Sequence, residues 1–165
     1  KGHGTDVAII GGILDFETDD ERIIRAIEIA EADGMKIRFI EEEAVPDHPN
    51  TAKIRMGDDD GEMEMVGISI GGGKIEIIEL NGFVLKLSGQ HPAILVEHTD
   101  KFGAIANVAT VLAKHEINIG HMEVSRKEMG QRALMTIEVD QNIEDSILDE
   151  IGKLPSILGV TKIVD

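Results

Sequence analysis

With 165 residues, 42% of them hydrophobic, the chain can bury the core of one domain or of two small ones. Asp and Glu outnumber Lys and Arg 32 to 16, and the formal charge of −16 argues against nucleic acid and anionic membranes as partners. The absence of cysteine excludes disulfides, thiol nucleophiles and thiolate ligands for zinc or an iron–sulfur cluster in this chain. No apolar run is long enough to cross a membrane and no signal peptide is expected, so a cytoplasmic setting fits.

In chain order, residues 7–14 read as a short helix weakened by glycines, with Thr5 or Asp6 as its N-cap. His3 and Asp6 have the chemistry for acid–base or ligand work, and a loop followed by a cap is the simpler explanation of them. A helix is predicted over 19–34. Asp19 or Asp20 caps it, Ile23, Ile24, Ile27 and Ala30 line one side, and Gly34 ends it. Residues 36–40 are expected to form a short strand with the Glu41–Glu43 run as its solvated end. From 51 to 88 the pattern changes to antiparallel strands. Ala52, Ile54 and Met56 alternate with polar residues; strands 62–70 and 74–80 flank a Gly71–Gly73 hairpin turn, and strand 83–87 follows an Asn81-Gly82 turn. The acidic turn at 57–61 lacks EF-hand spacing, and no helix opens after the triple glycine to make it a phosphate cradle. Residues 88–92 read as a linker.

Beyond the linker the order is strand 93–98, helix 103–115, strand 117–126, strand 132–139, a helix capped by Asn142, and strand 158–164. The first helix carries Ile105, Val108, Ala109 and Leu112 on one face, and Lys114 and His115 suit its C-terminal dipole. Gly120 marks a bulge where the second strand changes phase. The second helix presents Ile143, Ile147, Leu148, Ile151 and Leu154. A βαββαβ order implies an α+β, ferredoxin-like sandwich: a four-stranded antiparallel sheet with two helices on one face. Its other face and an edge strand are open to a second copy or another domain. His98-Thr99-Asp100-Lys101-Phe102-Gly103 leads from a strand end to a helix N-terminus. Polar side chains and free N–H donors there can hold the carboxylate of a small ligand, although an ordinary strand–loop–helix junction has the same composition.

Residues 91–165 resemble an ACT domain, a small amino-acid-sensing module. The resemblance rests on Leu95-Val96-Glu97-His98-Thr99-Asp100-Lys101-Phe102-Gly103, on Asn118-Ile119 and on the element order. In the serine-sensing ACT domain of phosphoglycerate dehydrogenase the loop reads His-x-Asn-x-x-Gly, with an Asn opening the second strand. His98, Gly103 and Asn118 match this pattern, whereas Asp100 replaces the loop Asn and Phe102 the usual Pro. The resemblance implies L-serine or a related amino acid bound between two ACT domains of a homodimer. His98 and Asn118 would contact its polar groups, Asp100 its ammonium, and backbone N–H groups near Gly103 and Ile119 its carboxylate. A carboxylate at 100 would also repel that of the ligand.

Lys1-Gly2-His3-Gly4-Thr5-Asp6, the stretch 15–23, Ser69-Ile70-Gly71-Gly72-Gly73-Lys74-Ile75 and Glu79-Leu80-Asn81-Gly82 are similar to the β chain of iron–sulfur-dependent L-serine dehydratase of the two-chain type. This second resemblance implies an allosteric substrate-binding-type domain at 1–88, whose first strands and Ser-Ser-Ser-His-Thr loop would precede Lys1, and an ACT domain at 89–165. It further implies a lyase converting L-serine to pyruvate and ammonia. A [4Fe–4S] cluster on a separate catalytic α chain would be the Lewis acid. This chain would bind no cofactor or metal, be inactive alone, pair with the α chain and sense L-serine, with His3, Thr5 and Asp6 facing the α-chain active site. The alternative, which Asp100 favours, is a ligand-free ACT-type dimerisation or assembly module.

Overall fold

The computed structural model describes residues 4–42, 47–59 and 61–163. The chain divides into two compact units, Lys1–Val45 and Pro46–Asp165.

The first unit is helical. Helix α1 spans Thr5–Ile13, and its N-cap is Gly4 rather than Thr5 or Asp6. The helix begins earlier than expected, and the Asp6 carboxylate accepts from the Val7 N–H at 3.0 Å inside the first turn. His3 lies outside the described residues. The helix predicted over 19–34 is split into a 3₁₀ helix, Glu21–Arg25, and α2, Ala26–Ala32. Asp20 causes the tight start. Its carboxylate accepts from the Arg22 N–H at 2.8 Å and grips the Arg22 guanidinium, which lowers its pKa to about 2. The three-residue period of the 3₁₀ turn also moves Ile24 off the inner face, leaving it 78% exposed. Ala26 and Ala30 pack with Ile10, and Gly34 and Met35 close α2 by donating to Glu31 and Ala30 carbonyls. Residues 36–40 do not form the predicted strand. Among the described residues they pair with no other strand, and an unpaired strand leaves its backbone groups to solvent. Ile37 instead packs on the small core.

The second unit is built from two sheets. Strands β1 (Thr51–Gly57), β2 (Glu62–Gly71), β3 (Lys74–Leu80) and β4 (Phe83–Leu87) form an antiparallel meander in chain order. Gly71 pairs with Lys74, so Gly72 and Gly73 form the two-residue hairpin turn. Then come β5 (Ala93–Thr99), α3 (Ala104–Lys114), β6 (Ile119–Arg126), β7 (Arg132–Val139), α4 (Asp145–Gly152) and β8 (Ile157–Ile163), with the antiparallel order β6-β7-β5-β8. This is the ferredoxin-like βαββαβ sandwich.

Ile94, Val96, Met135 and Ile137 of the sheet meet Val108 and Leu112 of α3 and Ile147 and Ile151 of α4 in one core. The buried face of α3 is Ala104, Val108, Val111 and Leu112, and Ile105 is exposed, so the face is rotated from the expected one. The N-cap of α4 is Glu144 in extended conformation, two residues beyond Asn142. Lys114 and His115 at the end of α3 hold Glu150 of α4, each at 2.8 Å. A register shift between Ile119 and His121 marks the expected bulge at Gly120.

The sheet's second face is partly covered by the chain itself. Ala93, Leu95 and Leu134 pack with Phe83, Leu85 and Leu87 of β4. The Ser88 N–H and hydroxyl both donate to Glu138 Oε1, at 3.2 and 3.0 Å. Residues 88–92 therefore join two sheets of one compact unit.

Candidate functional site

Strand alternation places His98. Ile94 and Val96 point toward the helices, and His98 is the next inward position, 2% exposed and paired along the strand with Ala133 and Ile157. Its Nδ1 lies 2.9 Å from the Thr99 carbonyl, which assigns the ring hydrogen to Nδ1 as donor. Nε2 is buried and without a partner among the described residues. An orphaned polar atom in a packed interior is uncommon, and a polar group of a ligand or an ordered water would satisfy it.

After β5 the chain turns through Asp100 to Gly103. Gly103 is the N-cap of α3 at φ +84°, a conformation that disfavours any residue with a Cβ, and it offers no side-chain acceptor to the helix. No acidic residue sits in the first turn of α3. The helix N-terminus thus presents donors that an anion can take.

Asp100 is the obvious competitor for those donors, and it turns elsewhere. Its Oδ2 accepts from Arg126 Nη1 and from the Gly130 N–H, both at 3.0 Å, and its own N–H donates to the Gln131 carbonyl at 2.7 Å. The Gly130 N–H, then the Arg126 guanidinium, hold the Asp100 carboxyl below the usual carboxylate range. The loop after β5 is thereby tied to the β6–β7 hairpin. Arg126 and Gly130 were not legible as site residues, because their partner lies 26 and 30 positions away.

Asn118 and Ile119 open β6. The Asn118 amide donates to Asp140 Oδ2 at 2.5 Å, and the Asp140 N–H returns to the Asn118 carbonyl at 3.3 Å. Asp140 was also missed by sequence reasoning; its signal is position alone, at the strand end facing the bulge.

Strand register decides which residues meet. Thr99 pairs with Arg132 at one end of β7, and Ile119 pairs with Val139 at the other. Seven residues at about 3.3 Å each separate the two ends by roughly 23 Å. His98, Asp100 and Gly103 therefore gather at one end of the sheet and Asn118 and Ile119 at the opposite end. One small molecule cannot reach both sets within a single chain. In the other unit, Thr5 is exposed and Asp6 is engaged with its own helix.

The ACT domain model matches residues 93–156. Over 165 residues the chain is 72% identical to the "Probable L-serine dehydratase, beta chain" of Bacillus subtilis (strain 168), covering all of this chain and 75% of the relative. It is 35% identical over 153 residues to the "L-serine dehydratase, beta chain" of Peptoniphilus asaccharolyticus, covering 92% and 69% of the two chains. It is also 36% identical over 89 residues to the D-3-phosphoglycerate dehydrogenase of Bacillus subtilis (strain 168), covering 54% of this chain and 17% of that one. With two relatives of this kind matched over most of their length, and an ACT domain where the sandwich lies, the chain belongs to the family of L-serine dehydratase β chains, a lyase family.

Proposed function

We propose that this chain is the regulatory and structural β subunit of an enzyme that converts L-serine to pyruvate and ammonia in the cytoplasm. It pairs with a catalytic α chain and senses L-serine through its ACT half. This chain has no cysteine, so a [4Fe–4S] cluster, if thiolate-held, belongs to the α chain. L-Serine binds between two copies, with residues 89–165 as the sensing module and residues 1–88 as the part that meets the α chain, His3, Thr5 and Asp6 toward its active site.

The observation that carries this reading is the division of the site between the two ends of one sheet. The loop of one chain brings His98, Asp100 and the N-terminus of α3, and the partner copy brings Asn118 and Ile119. The ligand carboxylate takes the α3 N–H groups. Its hydroxyl or ammonium satisfies His98 Nε2, and Asp100 Oδ1 balances the ammonium. A hydrogen bond to a charged ligand group contributes about 1.5–3 kcal/mol, so His98→Ala or Asn118→Ala should weaken L-serine binding about tenfold or more. Calorimetric titration of the full chain with L-serine, with D-serine and glycine as controls, tests this; an unchanged dissociation constant in both variants removes the site assignment.

A second reading, a ligand-free assembly module, is favoured by a specific feature. Asp100 and Asn118 are both already hydrogen-bonded within the chain, to Gly130 and Arg126 and to Asp140. No L-serine binding by a folded, dimeric sample would select it.

A further inference from the structure

We infer that the β6–β7 hairpin, residues 126–132, is the transmission element between the ligand loop and the four-stranded meander, with Lys127 as its latch. The inference rests on the reading of residues 98–103 as the ligand loop and adds how an event there reaches the rest of the unit. On one side the hairpin is held by Asp100, through Arg126, the Gly130 N–H and the Gln131 carbonyl. On the other side Lys127 Nζ donates to the Asn81 carbonyl at 2.6 Å and lies 4.8 Å from the centre of the Phe83 ring. Gly82 makes room for it: a Cβ there would stand 2.7 Å from Lys127 Nζ, and its φ of +77° suits glycine.

Asn81 passes the connection on. Its N–H donates to the Glu64 carbonyl at 2.7 Å, and its side-chain carbonyl accepts from the Glu64 N–H at 2.9 Å. The Glu64 carboxylate in turn pairs with Lys53 and Arg55 of β1. Asp100, the hairpin, Asn81 and Glu64 thus form one continuous polar path from the loop to the far edge of the meander. Around Lys127 the hairpin borders an open cleft of about 650 Å³, which leaves it space to move. A ligand that draws Asp100 toward its ammonium loosens the grip on Arg126 and Gly130, and the hairpin then shifts its hold on Asn81.

A continuous path is not in itself evidence of coupling, and a double-mutant cycle supplies it. Amide hydrogen exchange of the full chain is read at Asn81, which does not touch Asp100. Without ligand, Asp100→Ala should speed exchange at Asn81 by at least about twofold, the low end for residues sharing one network. The effect should vanish in a Lys127→Met background, where the side-chain stem remains over Phe83 and the donor is gone. An equal effect in both backgrounds, or none in either, overturns the inference. In a second arm, L-serine is added to the unaltered chain and to Lys127→Met, with calorimetry alongside. Saturable binding to both, with Asn81 responding only in the unaltered chain, supports the latch. Binding without any response at Asn81 overturns it. Absence of binding counts against the ligand site, and the first arm still decides the coupling.

Discussion

At the scale of single residues, the Asp100 carboxylate is engaged by its own chain, through Arg126 and the Gly130 N–H. As a loop carboxylate it should repel a ligand carboxylate, yet its charge is spent on Gly130 and Arg126, away from the α3 N-terminus. Its pKa lies below the ordinary value of 3.8 because the folded state stabilises the ionised form. Its stabilising contribution is therefore complete above that value and is lost as pH falls through the lowered pKa. An NMR titration of the Gly130 amide should show a single step whose midpoint lies below 3.8. Asp100→Asn should abolish that step, and a midpoint at or above 3.8 would contradict the assignment. The residues that hold Asp100 were illegible from the sequence because contacts across 26 to 30 positions leave no local pattern. His98 and Gly103 were legible because strand alternation and a helix start are local.

At the scale of elements, periodicity located nearly every helix and strand of the second unit, and details failed where the environment chose. The apolar residues of α3 can be grouped into two overlapping stripes. Packing against Ile94 and Met135 selects Ala104, Val108, Val111 and Leu112 and leaves Ile105 outside. Leu112 is fully buried between the sheet and α4's core residues. Leu112→Ala should cost about 2–5 kcal/mol in a urea melt, while Ile105→Ser, at a half-exposed position, should stay within about 0.5 kcal/mol of the parent. Comparable costs would mean that the helix face is misassigned. Residues 36–40 have strand composition but no strand beside them among the described residues of their unit, and β-structure is a property of pairs. The 19–34 segment has helical periodicity, but the Asp20–Arg22 grip winds its first turn to 3₁₀.

For the whole molecule, the register of β7 against its neighbours puts the two sets of candidate ligand residues at opposite ends of a sheet. Shared sites in a two-fold dimer have a testable arithmetic. A heterodimer of one His98→Ala chain and one Asn118→Ala chain, isolated with two affinity tags, contains one doubly altered site and one intact site. It should bind one L-serine per dimer with the affinity of the unaltered protein. If both site halves belonged to one chain, every site would be damaged and no tight binding would remain.

The sequence by itself determined the βαββαβ order, the meander before it, the hairpin turns, the bulge at Gly120 and the loop that leads from β5 into α3. All of these follow from short-range periodicity, turn chemistry and a local motif. Only the tertiary structure decided that β4 covers part of the sheet's second face, that the β6–β7 hairpin ties Asp100 to Asn81, and that Asn118 stands a strand's length from His98. Those facts depend on strand register and on which faces meet, and burial across the whole fold sets both. No local stretch of the chain carries that information.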